Sequence, residues 1–202
     1  MSRSNSFRSV AATALMVVTL LAASGAQATL LSRLNGQAVY DSDADLTWLQ
    51  NANANAYNGY GGLMNWSTAM TWAAQLTIEN VSHWRLPGGP MEGGRNKPGS
   101  EMGNLFFKVL GGTTVSGGTP SNANYAFFQN INAYFYWSGV ATDYSAWGFN
   151  FNDGVSTSGG GEGYGMLAWA VHDGDVPAPG TLALLGAGLC GWAGVKRSRR
   201  GA

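Results

Sequence analysis

Asp41, Asp43 and Asp45 form the densest group of potential ligands in this 202-residue chain. Alternating carboxylates can converge on a hard cation such as calcium. The EF-hand version of such a loop needs a glycine at its sixth position and a bidentate glutamate at its twelfth. Leu46 and Ala52 stand there instead. A solvated turn leading into a strand is the expectation, and calcium is the one cofactor the spacing admits. Asn152-Asp153-Gly154 is a second oxygen-rich segment and reads as a plain turn.

Other chemistries find fewer residues. The chain has two histidines, His83 and His172, one cysteine, Cys190, and no Gly-x-Ser-x-Gly nucleophile turn. A catalytic zinc site needs more imidazole or thiol ligands than this. Gly159-Gly160-Gly161 lacks the lysine and the following helix of a phosphate loop. A pair of carboxylates about 5 to 10 Å apart would suffice for glycoside cleavage, so a cryptic glycoside hydrolase is one alternative. The expectation is a non-enzymatic protein with no catalytic residue and no metal ligand assigned.

Binding chemistry has more candidates. Trp84, Trp137 and Trp169 could stack on sugar rings, but burial as core anchors is the expected fate of tryptophan in strands. Exposed aromatic candidates are Tyr57 and Tyr60 in an Asn/Gly-rich loop, and Tyr144 with Trp147 further on. Arg85 could hold an anion; a structural role is expected, bridging carbonyls or pairing with a carboxylate such as Glu101.

The elements that must position these residues follow from periodicity. Val39-Tyr40 and Leu46–Leu49 have strand character, and residues 51–62 read as a loop. Trp66, Ala69, Met70, Ala73 and Leu76 recur at helical steps behind a candidate N-cap, Asn65. A second helix is predicted from Ser100, with Glu101 in its first turn. Met102, Leu105, Phe106, Val109 and Leu110 form its apolar face, Lys108 lies near its end, and Gly111-Gly112 stops it. Residues 125–137, 146–151 and 166–171 read as strands, with a loop over 153–163. The fold class expected is α+β, an antiparallel sheet with two helices.

Charge divides the chain into three. Residues 29–175 hold all 11 acidic residues and 5 of the 11 basic ones, a net of −6. That balance argues against nucleic acid, whose phosphates call for lysine and arginine. Arg3 and Arg8 precede an apolar run over 10–23, and Ala26-Gln27-Ala28 supplies the small residues a signal peptidase reads. Residues 1–28 are therefore expected to be a signal peptide cut after Ala28. At the far end Val176-Pro177-Ala178-Pro179 leads into an uncharged segment, and Lys196, Arg197, Arg199 and Arg200 follow. Fifteen helical residues reach about 22 Å, short of roughly 30 Å of hydrocarbon; flanking residues and local thinning can close the gap. A short transmembrane segment over 180–195 is expected, with the basic cluster cytoplasmic and the body outside.

Pro-x-Pro, a short Gly/Leu-rich apolar segment and terminal arginines resemble the PEP-CTERM sorting signal of Gram-negative bacteria, over 176–202. The resemblance implies recognition and removal of the tail by an exosortase. Val176, Pro177, Pro179, Arg197, Arg199 and Arg200 are the positions that match, and Ala178 stands where the signal usually has glutamate.

A second resemblance lies in the body. Asp41 with Leu46-Thr47-Trp48-Leu49, then Trp72-Ala73, Trp84-Arg85-Leu86-Pro87, Tyr136-Trp137-Ser138-Gly139, Ala146-Trp147 and Ala168-Trp169-Ala170-Val171, occur in the order found in the Lcl C-terminal domain family, named for a collagen-like adhesin. His83 stands where that family usually has aspartate. This resemblance implies a C-type-lectin-like fold over 29–175 and a role in surface attachment or polysaccharide binding. The sequence thus predicts an exported envelope or matrix protein: adhesive, or purely structural and without a specific ligand.

Overall fold

The computed structural model describes residues 29–56, 61–95, 97–113, 122–159 and 164–176. The predicted signal peptide and most of the predicted tail, including the segment 180–195, lie outside the described residues. No helix among the described residues is long and apolar enough to cross a membrane.

Two antiparallel sheets replace the single sheet expected. Strands β1 (Leu30–Arg33), β2 (Ala38–Asp41) and β3 (Leu46–Leu49) form a meander. A late strand, β7 (Val171–Asp173), adds itself to β3, so the order is β1-β2-β3-β7. The second sheet runs β4-β5-β6, from β4 (Phe135–Ala141), β5 (Ala146–Asn150) and β6 (Ser156–Ser158). The fold is mixed α+β and mostly β.

The apolar run Met166–Val171, predicted as one strand, is the seam between the sheets. Each of its six residues is buried. Met166 bridges Met64, and Leu167 exchanges hydrogen bonds with Phe135 and Trp137 of β4. Ala170 accepts from Leu49 on β3, and Val171 pairs with both Trp48 and Arg85. A segment covered on both faces has no polar side to show, which is why its sequence does not alternate.

One predicted strand and one predicted loop change. Residues 123–127 form a 3-10 turn capped by Asn122, so β4 begins only at Phe135. The loop predicted over 153–163 contains β6, whose Ser-Thr-Ser sequence has no hydrophobic pattern.

The first helix, α1 (Trp66–Gln75), matches its prediction at the start: the Asn65 side chain accepts from Thr68 N–H. Ala69 and Ala73 are buried and Trp66 and Leu76 half-buried, but Met70 is 38% exposed. At about 100° per residue, Met70 and Trp72 lie roughly 80° to either side of the stripe's centre. The sheet covers only the stripe. The second helix, α2 (Glu101–Asn104), starts at Ser100 as predicted, with Ser100 Oγ accepting from Gly103 N–H. It then widens into a π-helix over Leu105–Val109, with Leu110 N–H donating to Leu105 O. Leu105, Phe106, Val109 and Leu110 are all buried as a result.

Candidate functional site

Four tryptophans of the body motifs are structural. Trp48, Trp84, Trp137 and Trp169 are all at most 2% exposed. Trp48 and Trp169 meet edge-to-face at 5.0 Å, and Phe128, Tyr136 and Phe151 extend the cluster around Trp169. Three indole N–H groups donate to carbonyls: Trp84 to Val81, Trp137 to Met64 and Trp169 to Leu49. The Tyr136 hydroxyl accepts from Asn132 N–H, and burial pushes its pKa up to about 12. None of these rings offers a face to a ligand.

The motifs also meet each other. Gly139 N–H donates to the carbonyl of buried Pro87 at 2.7 Å. A methyl group at Gly139 would sit 3.3 Å from Leu86 O, a tight fit. His83, just before Trp84, has φ of +67°. Aspartate and histidine both tolerate that left-handed backbone better than most residues, so the substitution of one for the other is physically mild.

Arg85 is the hub predicted for it, with a second carboxylate added. Its two terminal nitrogens donate to both oxygens of Glu101 at 2.8 Å, and one also donates to Leu86 O. Its remaining contacts go to Asp173 on β7. Glu101 further accepts from Gly88 N–H at 2.6 Å. The guanidinium holds the Asp173 carboxyl below the usual carboxylate range. Glycoside cleavage needs one carboxyl held up as an acid; in this pair Asp173 is held down and Glu101 is committed to three donors.

The aspartate turn is not uniformly solvated, as the sequence suggested. Asp41 is fully buried; its Oδ1 accepts from Asp43 and Ala44 N–H, and its Oδ2 is buried with no partner among the described residues. Desolvation raises its pKa. Asp45 instead accepts from the Tyr40 hydroxyl. Among the described residues no group of three or more His, Cys, Asp or Glu is placed to hold a metal ion. The Asn152-Asp153-Gly154 turn is held by Arg95, 3.0 Å from Asp153.

The surface open to a ligand lies along α1. One cavity of about 230 Å³ is lined by Asn65, Trp66 and Ser67 and by Asp143, Tyr144 and Ser145 from the β4–β5 hairpin tip. A second, about 340 Å³, runs on past Ser67, Thr68, Thr71, Trp72 and Gln75. A third, about 310 Å³, takes over at Trp72 with Leu76, Ile78, Gln37, Gln50 and Asn51. Shared residues Ser67 and Trp72 join the three hollows. Among the described residues, Asp143 is the only charged side chain in their lining.

Of the four predicted aromatic candidates, Tyr144 is brought to this surface, 90% exposed at the hairpin tip. Trp147 is half-buried on β5 beneath Gly93 and does not join it. Tyr57 and Tyr60 lie outside the described residues; Gly61, next in the chain, lines a separate hollow of about 420 Å³ with 46%-exposed Tyr134. Sequence reasoning missed Trp72 as a surface residue, although its position off the buried stripe was a usable signal.

Val176, in the predicted sorting signal, is 1% exposed and belongs to the core. Beyond it the chain leaves the described residues, so Pro177, Pro179, Arg197, Arg199 and Arg200 have no structural account. The sequence of that stretch decides its nature. Residues 175–200 match the PEP-CTERM protein-sorting motif. PEP-CTERM implies an exported protein sorted to the cell envelope or surface and processed by an exosortase. The match covers the tail and leaves the body unassigned. No curated protein and no solved structure matches the chain.

Proposed function

We propose that the body is a non-catalytic binding module for a neutral extracellular polysaccharide, and that it serves attachment at the envelope to which its PEP-CTERM tail sorts it. The observation that carries this reading is the lining of the α1 groove. It combines the aromatic side chains of Trp66, Trp72 and Tyr144 with hydroxyl and amide groups and a single carboxylate, Asp143. Sugars offer apolar ring faces and hydroxyls, which match that combination. An anionic polymer would ask for lysine or arginine, and among the described residues the groove is lined by neither. The resemblance of the body to the Lcl C-terminal domain family, with its C-type-lectin-like architecture, points the same way. The two motifs that carry most of that resemblance lie side by side, Gly139 N–H donating to Pro87 O.

The test is a polysaccharide array probed with the purified exported protein, with and without calcium. Saturable binding to a neutral polymer, lost in Trp72→Ala, is expected. Failure on every polymer under both conditions would leave the other role, a structural matrix component that self-associates without a specific ligand.

A further inference from the structure

The hydrogen bonds around the start of α1 decide what its groove can still offer a ligand. The Asn65 side-chain oxygen accepts from Thr68 N–H at 2.9 Å and from the Ser67 hydroxyl at 3.2 Å. The Thr71 hydroxyl donates to the Ser67 carbonyl at 2.9 Å, and the Trp66 indole N–H donates to the Ser138 carbonyl at 2.9 Å. The donors of Trp66, Ser67 and Thr71 are thereby spent inside the protein, while the hydroxyl oxygens of Ser67 and Thr71 keep lone pairs. At the groove's end the β4–β5 hairpin closes through Thr142 N–H to Ser145 O, at 2.9 Å, and Ser145 N–H to Thr142 Oγ1, at 3.0 Å. Asp143 and Tyr144 lie between them in the chain, and both are exposed. The Asp143 carboxylate enters no salt bridge among the described residues. It lines the cavity of about 230 Å³ together with Asn65, Ser67 and Tyr144. A carboxylate accepts hydrogen bonds and gives none, and it accepts more strongly than a neutral oxygen. What settles against it must bring donors.

We propose that Asp143 is the specificity-determining residue of the groove: the cavity at the hairpin tip takes a neutral sugar unit with two free adjacent hydroxyls, and both donate to the Asp143 carboxylate. The proposal rests on the reading of the α1 groove as a polysaccharide site. Adjacent hydroxyls lie close enough together to meet the two oxygens of one carboxylate, as the two prongs of an arginine do. Tyr144, next in the chain, supplies an aromatic ring within the same lining for the sugar's apolar face. An acetyl or methyl group on either hydroxyl removes a donor and leaves the carboxylate one bond short. A sulfate or a uronate brings further negative charge to a body that already carries a net of −6 over residues 29–175. Trp66 and Trp72 do not discriminate in this way, since an apolar ring face is common to hexoses.

Coupling between the residue and the substituent is the quantity to measure. Dextran, mannan and galactan, all chosen with adjacent hydroxyls free, are presented unmodified and partially O-acetylated to the purified exported protein, to Asp143→Asn and to Trp72→Ala, and binding is read by titration calorimetry. For the parent, acetylation should weaken binding of the preferred polymer by about ten- to a hundredfold, the range of hydrogen bonds to a charged group. Asp143→Asn should lose about tenfold on the unmodified polymer, since the amide keeps one accepting oxygen, and acetylation should then cost it less than about threefold. As an exposed turn residue, Asp143→Asn should unfold together with the parent, so the loss reports the contact itself. Trp72→Ala should weaken both forms of the polymer alike and keep the parent's discrimination. Equal losses on acetylation in the parent and in Asp143→Asn overturn the proposal and leave the polysaccharide reading standing. Absence of saturable binding by the parent to all three polymers contradicts that reading and takes the proposal with it. Tighter binding to chitosan, whose ammonium groups would meet the same carboxylate, than to any neutral polymer overturns the assignment of a neutral sugar.

Discussion

Trp169 and Trp72 are the same residue type in opposite situations. Trp169 is fully buried, donates its N–H to Leu49, and touches four aromatic rings. Trp72 lies half-buried on the flank of α1 with polar neighbours and open hollows on both sides. The difference teaches that belonging to the recognised motif set does not by itself decide whether a ring is sealed in the core or left beside open surface. A motif tryptophan that satisfies its N–H and buries its ring has nothing left for a ligand, and it is legible for that reason. Trp72 is set by the helix face it falls on, off the buried stripe of Ala69 and Ala73.

Substitutions should separate the two regions sharply. Trp169→Ala should destabilise the protein by about 3 to 5 kcal/mol, read from urea unfolding; a value near zero would mean that the aromatic cluster does not hold the sheets together. Arg85→Ala should cost about 2 kcal/mol, chiefly because Glu101 is left part-buried with only the Gly88 amide as partner. Arg85→Lys should recover only part of this, since an ammonium cannot form the fork. Asp173 is too exposed to contribute much of that loss.

Asp41→Asn works in the other direction. The amide oxygen can still accept from Asp43 and Ala44, while the buried charge disappears, so the variant should be about 1 kcal/mol more stable at neutral pH. The sign follows from the pKa of Asp41, which is raised in the folded state. Protonated Asp41 favours the fold, and that advantage is lost as pH rises through the folded-state value. The stability gap between the Asp41→Asn variant and the parent should therefore close as pH falls towards about 3.9, the ordinary aspartate value. Asp173, whose pKa is lowered, behaves oppositely: its contribution is present at neutral pH and fades in acid. Melting curves from acid to neutral pH, for parent and variant, resolve the two; a constant gap would show that Asp41 carries no buried charge.

The smallest effect on stability belongs to the α1 groove. Tyr144→Ala should change unfolding by less than about 0.5 kcal/mol, and Trp72→Ala by little more than its half-buried ring implies. Both should weaken polysaccharide binding without altering the fold, as read by titration calorimetry. Stability loss together with unchanged binding would reverse the assignment of roles between the two regions.

Much of this was legible because it depends on neighbours in the chain. The acidic body between two basic-flanked apolar ends, the Asn65 and Ser100 caps, the stop at Gly111 and the β2–β3 turn are local patterns. Even the Arg85–Glu101 pair was foreseeable, since a guanidinium in an apolar stretch needs a carboxylate and few are available. What the tertiary structure alone decided are relations across long separations. It made Met166–Val171 a seam between two sheets, where burial on both faces removes the alternation that marks a strand. It found β6 in Ser-Thr-Ser, which pairs through backbone groups that every residue carries. It buried Asp41 and drew Asp175 and Val176 into the body. Each of those outcomes depends on which distant surface covers a residue, and covering is a property of the assembled layers that no short window of sequence contains.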